Sequence, residues 1–239
     1  MPEIKICGIT AGEELRWLEE AQVEYAGFVI WEKSRRSVTA AQAAEMIKKL
    51  NSNIKKVAVA VSPSPNLVKE IEQAGFDILQ VHGTWTGEAA KAVQIPVWRA
   101  VNISGMEELG QIKEQFEKGV PGRGNITAVL ADAKEYGSGK TFGWEDFSLR
   151  YAGARGEGAD REQYRRYREF RRLLREQKIK FILAGGLSPE NVQKGIRIFA
   201  PDIVDVSSGV EREAGNPKGP SGKDREKIKE FVRQARNLF

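Results

Sequence analysis

Cysteine and histidine are almost missing from this chain: among 239 residues there is one of each, Cys7 and His82. A single cysteine excludes an internal disulfide and any zinc site built on several thiolates. A single histidine leaves too few imidazoles for a histidine-rich metal centre. Long apolar runs are missing too. None approaches the roughly 18 residues that a helix needs to cross a bilayer. The first residues run straight into a strand pattern, without the charged, apolar and small-residue series of a secretory signal. The expectation is a cytoplasmic protein with no membrane contact and no metal. An excess of acidic residues is also lacking, since the net charge is +5. Most of that excess sits in one place: residues 145–180 hold eleven Lys or Arg against seven Asp or Glu. Overall charge therefore says little about a site elsewhere, and no nucleic-acid partner is expected from it.

What the chain does have is a repeated unit. An apolar strand pattern covers Glu3–Ile9, and a helical pattern with Leu15, Trp17 and Leu18 follows over Ala11–Gln22. Tyr25–Trp31 is a continuous apolar run, as expected of a strand buried on both faces. Thr39 reads as the N-cap of a helix ending near Leu50. Further strands are expected at Lys56–Val61, Phe76–Val81, Pro96–Val101, Ile126–Ala131, Ile179–Ala184 and Ile203–Val206. Helices are expected at Pro65–Ala74, at about Gly87–Val93, from Ser104 to about Lys118, and at Arg161–Gln177. Ser188 as N-cap with Pro189 as first helical residue starts the next, and the last spans about Gly222–Asn237.

Eight strand–helix units with no composition break between halves predict one (β/α)8 TIM barrel over residues 1–239. An extended, charged helical segment at about 145–178 is its least ordinary part. There Tyr164, Tyr167, Phe170 and Leu174 recur at helical spacing among arginines. Aromatics at core spacing are not displayed for stacking, so the basic face reads as solvated and not as an RNA surface.

Active sites of such barrels lie at the C-terminal ends of the strands. Cys7 ends the first strand. Period 2 puts Lys5 on its side of the strand, and a neighbouring cation favours the thiolate. Cys7 is a candidate base or nucleophile, against the alternative of an inert buried thiol. Asp132 ends strand six, well separated from Cys7 around the mouth, which suits an acid and a base working on opposite sides of a small substrate. A loop-capping carboxylate is the other reading of Asp132. Arg36, in the polar loop after strand two, can grip a carboxylate with a bidentate fork or simply be solvated. His82 is a candidate substrate contact, though a neutral, hydrogen-bonded structural histidine is the commoner case. Gly185 and Gly186 follow strand seven, and Ser208 and Gly209 follow strand eight. Loops after these two strands commonly hold phosphate, with glycine admitting backbone N–H groups close to the oxygens.

Six stretches carry a resemblance. They are Lys5-Ile6-Cys7-Gly8-Ile9-Thr10, Gly27-Phe28 with Ser34-Arg35-Arg36, Gln80-Val81-His82-Gly83, Gly137-Ser138-Gly139-Lys140-Thr141-Phe142 with Trp144, Leu183-Ala184-Gly185-Gly186-Leu187 with Pro189-Glu190-Asn191, and Asp205-Val206-Ser207-Ser208-Gly209-Val210-Glu211. In order and over nearly the whole chain they resemble the motifs of phosphoribosylanthranilate isomerase, an enzyme of tryptophan biosynthesis. The resemblance implies a cofactor-free Amadori rearrangement of a small phosphorylated substrate. It implies Asp132 as the general acid on the ring oxygen, Cys7 as the general base at C2, and Arg36 on the anthranilate carboxylate. It implies Gly185, Gly186, Ser208 and Gly209 at the phosphate. The chain departs from the family pattern at Ser34–Ser37, at Thr84-Trp85, in the length of 145–178 and in a small insertion at Arg212–Ser221. Two other classes are a related sugar-phosphate aldose–ketose isomerase and a non-catalytic phosphate-binding paralogue. The first is expected to use paired Asp residues, which Cys7 argues against. Retention of both Cys7 and Asp132 argues against the second. Nothing in the residues speaks to oligomeric state.

Overall fold

Strands that are apolar on both faces need cover on both faces. A ring meets that need by turning alternate side chains into its own interior and the others under helices. The computed structural model describes residues 1–50, 53–103, 123–133, 159–212 and 222–237, and among them this ring is complete. Its strands are β1 (Glu3–Cys7), β2 (Tyr25–Val29), β3 (Lys55–Val61), β4 (Ile78–His82), β5 (Val97–Ile103), β6 (Ile126–Ala133), β7 (Lys180–Leu183) and β8 (Ile203–Val206). Each pairs in parallel with the next, and β8 closes on β1. The described helices are α1 (Gly12–Glu20), α2 (Ala40–Ile47), α3 (Pro65–Gln73), α4 (Gly87–Ala92), α5 (Ala159–Glu176), α6 (Val192–Phe199) and α7 (Arg225–Arg236). The expected (β/α)8 architecture is the observed one.

Alternation along the strands sorts the core into two. Tyr25, Val57, Ile78, Trp98, Leu130, Ile182 and Ile203 fill the barrel interior. Ile4, Ile6, Phe28, Leu79, Val129, Phe181 and Val204 belong to the layer shared with the helices. At the N-terminal end of the ring, Glu3 accepts hydrogen bonds from Tyr25 and Lys180, and Tyr25 meets Trp98 edge-on at 4.9 Å. On α5 the expected amphipathic split holds over the described side chains, which do not include that of Tyr164, except at Arg171, which is buried and paired with Asp202. Tyr167, Phe170 and Leu174 are buried, with Tyr167 donating to the Phe199 carbonyl, while Arg165, Arg168, Arg172 and Arg175 are exposed. These aromatics belong to the core and are not a stacking surface. No described helix is long and apolar enough to cross a membrane.

Several boundaries shift by a few residues, and three of the shifts bear on the site. β1 stops at Cys7 because Gly8 turns to φ +81°. α6 begins at Val192, not at Ser188. Asn191 holds the intervening turn, its Oδ1 accepting from the Ser188 N–H and its Nδ2 donating to the Gly186 carbonyl. The last helix is capped by Asp224, which accepts from the N–H groups of Glu226 and Lys227, so it starts at Arg225 and not at Gly222. The helix expected from Ser104, the glycine loop at 136–141 and residues 145–158 lie outside the described residues.

Candidate active site

Cys7 and Lys5 lie on the inner face of β1, as period 2 requires. Lys5 is fully buried, and its Nζ is 2.8 Å from Asp205 Oδ2 across the β1–β8 seam. Burial opposes the charge on Lys5, yet the pairing with Asp205 favours it, and Lys5 is held protonated. The expectation that Lys5 acidifies Cys7 needs correction. Burial pushes the thiol up and Asp205 adds to that push; Lys5 and Lys223 pull the other way and do not prevail. The resting sulfur is a thiol. The sequence pattern showed the nearby cation, but not the second charge that partners it.

His82, at the end of β4, is also buried, with its Nε2 2.9 Å from Gln80 Nε2. Burial, then Lys5 and Arg99, push its pKa down to about 3. It is a neutral ring at any working pH, in line with the expectation of a hydrogen-bonded structural histidine. Arg99 buttresses the turn after it, donating to the carbonyls of Val81 and Gly83. Asp132 stands opposite Asn102 in the β5–β6 register, within β6, which runs on to Ala133. It follows Ala128 and Leu130 in the inward alternation, and β6 is three strands from β1 by way of β7 and β8. Cys7 and Asp132 thus sit at the same end of the ring on well-separated strands.

Arg36 reaches over β1 from the β2–α2 loop. A Cβ placed on Gly8 would come within 2.5 Å of Arg36 Cδ. Its Nε and Nη2 donate to the two oxygens of Glu211, the second at 3.3 Å. Lys223, fully buried, donates to Glu211 Oε1 at 3.0 Å, to the Ser207 carbonyl at 3.1 Å and to Ser207 Oγ at 3.3 Å. Ser207 Oγ in turn donates to the Cys7 carbonyl at 2.9 Å.

The two glycine-bearing loops meet. Gly185 and Gly186 take φ +81° and +69°, backbone that residues with a Cβ rarely adopt. Gly209 is the middle residue of a single 3₁₀ turn, Ser208–Val210, and a Cβ on it would lie 2.1 Å from the Leu187 carbonyl oxygen. The structure therefore brings Gly185, Gly186, Ser208 and Gly209 into one cradle beside β1. With α6 starting only at Val192, the turns themselves, and not a following helix terminus, adjoin this cradle.

A profile of the N-(5'-phosphoribosyl)anthranilate (PRA) isomerase family matches residues 4–234. The chain belongs to this family. An N-(5'-phosphoribosyl)anthranilate isomerase of Aquifex aeolicus is 33% identical over 242 residues, covering 99% of this chain and 100% of that one. A namesake from Streptococcus gordonii is 33% identical over 238 residues, covering 99% of each. Among solved structures, the phosphoribosyl anthranilate isomerase of Thermotoga maritima is similar with a TM-score of 0.74 and 29% identity over 100% of both chains. A family structure in complex with reduced 1-(o-carboxyphenylamino)-1-deoxyribulose 5-phosphate is similar with a TM-score of 0.71 and 26% identity, again over 100% of both chains.

Asp205, Glu211 and Lys223 were not singled out as site residues from the sequence. The signal for Asp205 was available: a carboxylate within the apolar strand β8 mirrors Lys5 within the apolar strand β1. Glu211 and Lys223 lie 12 positions apart, and only the fold makes them neighbours.

Proposed function

We propose that Cys7 and Asp132 are the base and acid with which this chain carries out the Amadori rearrangement of N-(5'-phosphoribosyl)anthranilate to 1-(2-carboxyphenylamino)-1-deoxyribulose 5-phosphate. The reaction belongs to tryptophan biosynthesis, in the cytoplasm. Family membership over nearly the full chain carries the reaction. The assignment of roles rests on the placement of a thiol and a carboxyl at one end of the ring, three strands apart.

Asp132, protonated, gives its proton to the furanose ring oxygen. The C1–O bond breaks as the anilino nitrogen lone pair moves in, and an open-chain iminium results. Cys7, as thiolate, takes the C2 proton. The C–H electron pair falls into the C1–C2 bond, the iminium nitrogen accepts the displaced pair, and the enolamine tautomerises to the ketone. The iminium is the electron sink, so the step needs none from a cofactor. Arg36 meets the anthranilate carboxylate, and the backbone of Gly185, Gly186, Ser208 and Gly209 receives the phosphate. The neutral ring of His82 lines the mouth and contributes no charge.

The test follows loss of substrate fluorescence, with N-(5'-phosphoribosyl)anthranilate generated in place. Cys7→Ala and Asp132→Ala are each expected to lower kcat by at least ~10²-fold, the usual scale of general acid–base catalysis. Near-normal turnover in Cys7→Ser or Asp132→Asn removes that residue from the mechanism.

A further inference from the structure

The carboxylate of Glu211 is shared by two cations that come from opposite ends of the chain, Arg36 and Lys223. The two cations differ in what they have left to give. An ammonium has three N–H donors, and those of Lys223 have three acceptors in the protein: Glu211 Oε1, the Ser207 carbonyl and Ser207 Oγ. A guanidinium has five donors in a fixed fork. Arg36 places its Nε edge on Glu211, a bidentate contact that, among the described residues, leaves the donors of Nη1 for a second carboxylate. Arg36 stays charged beside Glu211, and its outer edge suits an arriving carboxylate.

Glu211 is itself fixed. It pairs in antiparallel register with Lys223, flanked by hydrogen bonds from the Arg212 N–H to the Gly222 carbonyl at 3.0 Å and from the Asp224 N–H to the Val210 carbonyl at 2.8 Å. Arg36 Cδ meanwhile covers Gly8, the residue after Cys7.

We infer that Glu211 is a positioning residue that sets Arg36 for the carboxylate on the substrate's aromatic ring, with Lys223 holding Glu211 in register, so that this trio selects an aminoaldose carrying an acidic aryl group. The inference rests on the reading that Arg36 meets that carboxylate. A long arginine ordered before binding loses less freedom on binding, which is why anchoring its inner edge helps its outer edge.

The experiment compares two substrates, N-(5'-phosphoribosyl)anthranilate and the aniline congener that lacks the carboxylate, in wild type, Glu211→Gln and the double variant Glu211→Gln/Lys223→Met. The double variant leaves no ammonium buried without its carboxylate, so it tests the idea if the single variant fails to fold. In wild type the acid substrate is expected to have a KM about tenfold below that of the congener, the scale of a charge-assisted pair. In either variant the KM of the acid substrate is expected to rise about tenfold, with kcat within about threefold and the congener's KM unmoved. A general loss of structure shifts both substrates together and overturns the inference. A variant that keeps the wild-type preference overturns it as well. A wild type with no preference overturns the Arg36–carboxylate reading first, and the inference with it.

Discussion

An ammonium beside a thiol ordinarily acidifies it, and Lys5 does pull on Cys7, but the same fold that supplies Lys5 buries the sulfur and adds Asp205 behind it. Removal from water penalises the thiolate directly, and the carboxylate cancels much of what the ammonium offers. The protonated form is favoured, so reactive thiolate grows as pH rises towards the elevated pKa. Alkylation of Cys7 by iodoacetamide should therefore rise with a midpoint above the ordinary thiol range of about 8.5. A midpoint below about 8 rejects burial as the ruling influence. The alkaline rise of kcat/KM should follow the same limb. His82 is held neutral far below its ordinary pKa, so neither profile should bend near pH 6.5, where an unperturbed imidazole titrates.

At the scale of elements, the two loops after β7 and β8 form one unit because Gly209 presses on the Leu187 carbonyl. Gly209→Ala places a methyl group where there is no room and pushes the loops apart. The expected result is a KM raised more than kcat is lowered, with a stability loss of about 1–3 kcal/mol in a urea titration, as for overpacking elsewhere. Unchanged KM and midpoint together reject the idea of a rigid shared cradle. This contact also explains what the sequence hid. Ser188-Pro189 is a sound local signal for a helix start, and Thr39 with Gln42, read in the same way, does form its capping box. Ser188 failed because the Asn191 side chain holds the turn in a competing local arrangement with Ser188 and Gly186, and because the loop is shaped by packing against Gly209, a contact that is not local. The glycines themselves were legible, since positive φ and close approach both demand that residue type.

For the whole molecule, eight doubly buried strands were legible as a barrel because each apolar run announces itself without its neighbours. The charges inside the barrel were not, since Lys5 finds Asp205 only when β8 closes on β1. That pair tests closure. Asp205→Asn leaves a buried ammonium without its counter-charge and is expected to cost ~3–5 kcal/mol, whereas Lys5→Met/Asp205→Leu recovers most of it. Equal stability of the single and double variants, read from urea midpoints, argues against a closed low-dielectric seam.

The seam also orders events in time. Lys5 and Asp205 lie 200 positions apart, as do Cys7 and Ser207, and Arg36 and Glu211 lie 175 apart. On a translating ribosome the first strand waits for nearly the last, and contacts of such long range form late. Until then the sulfur is an ordinary accessible thiol, and afterwards it is a shielded one. A thiol-reactive dye added during synthesis is therefore a clock for the moment the barrel shuts.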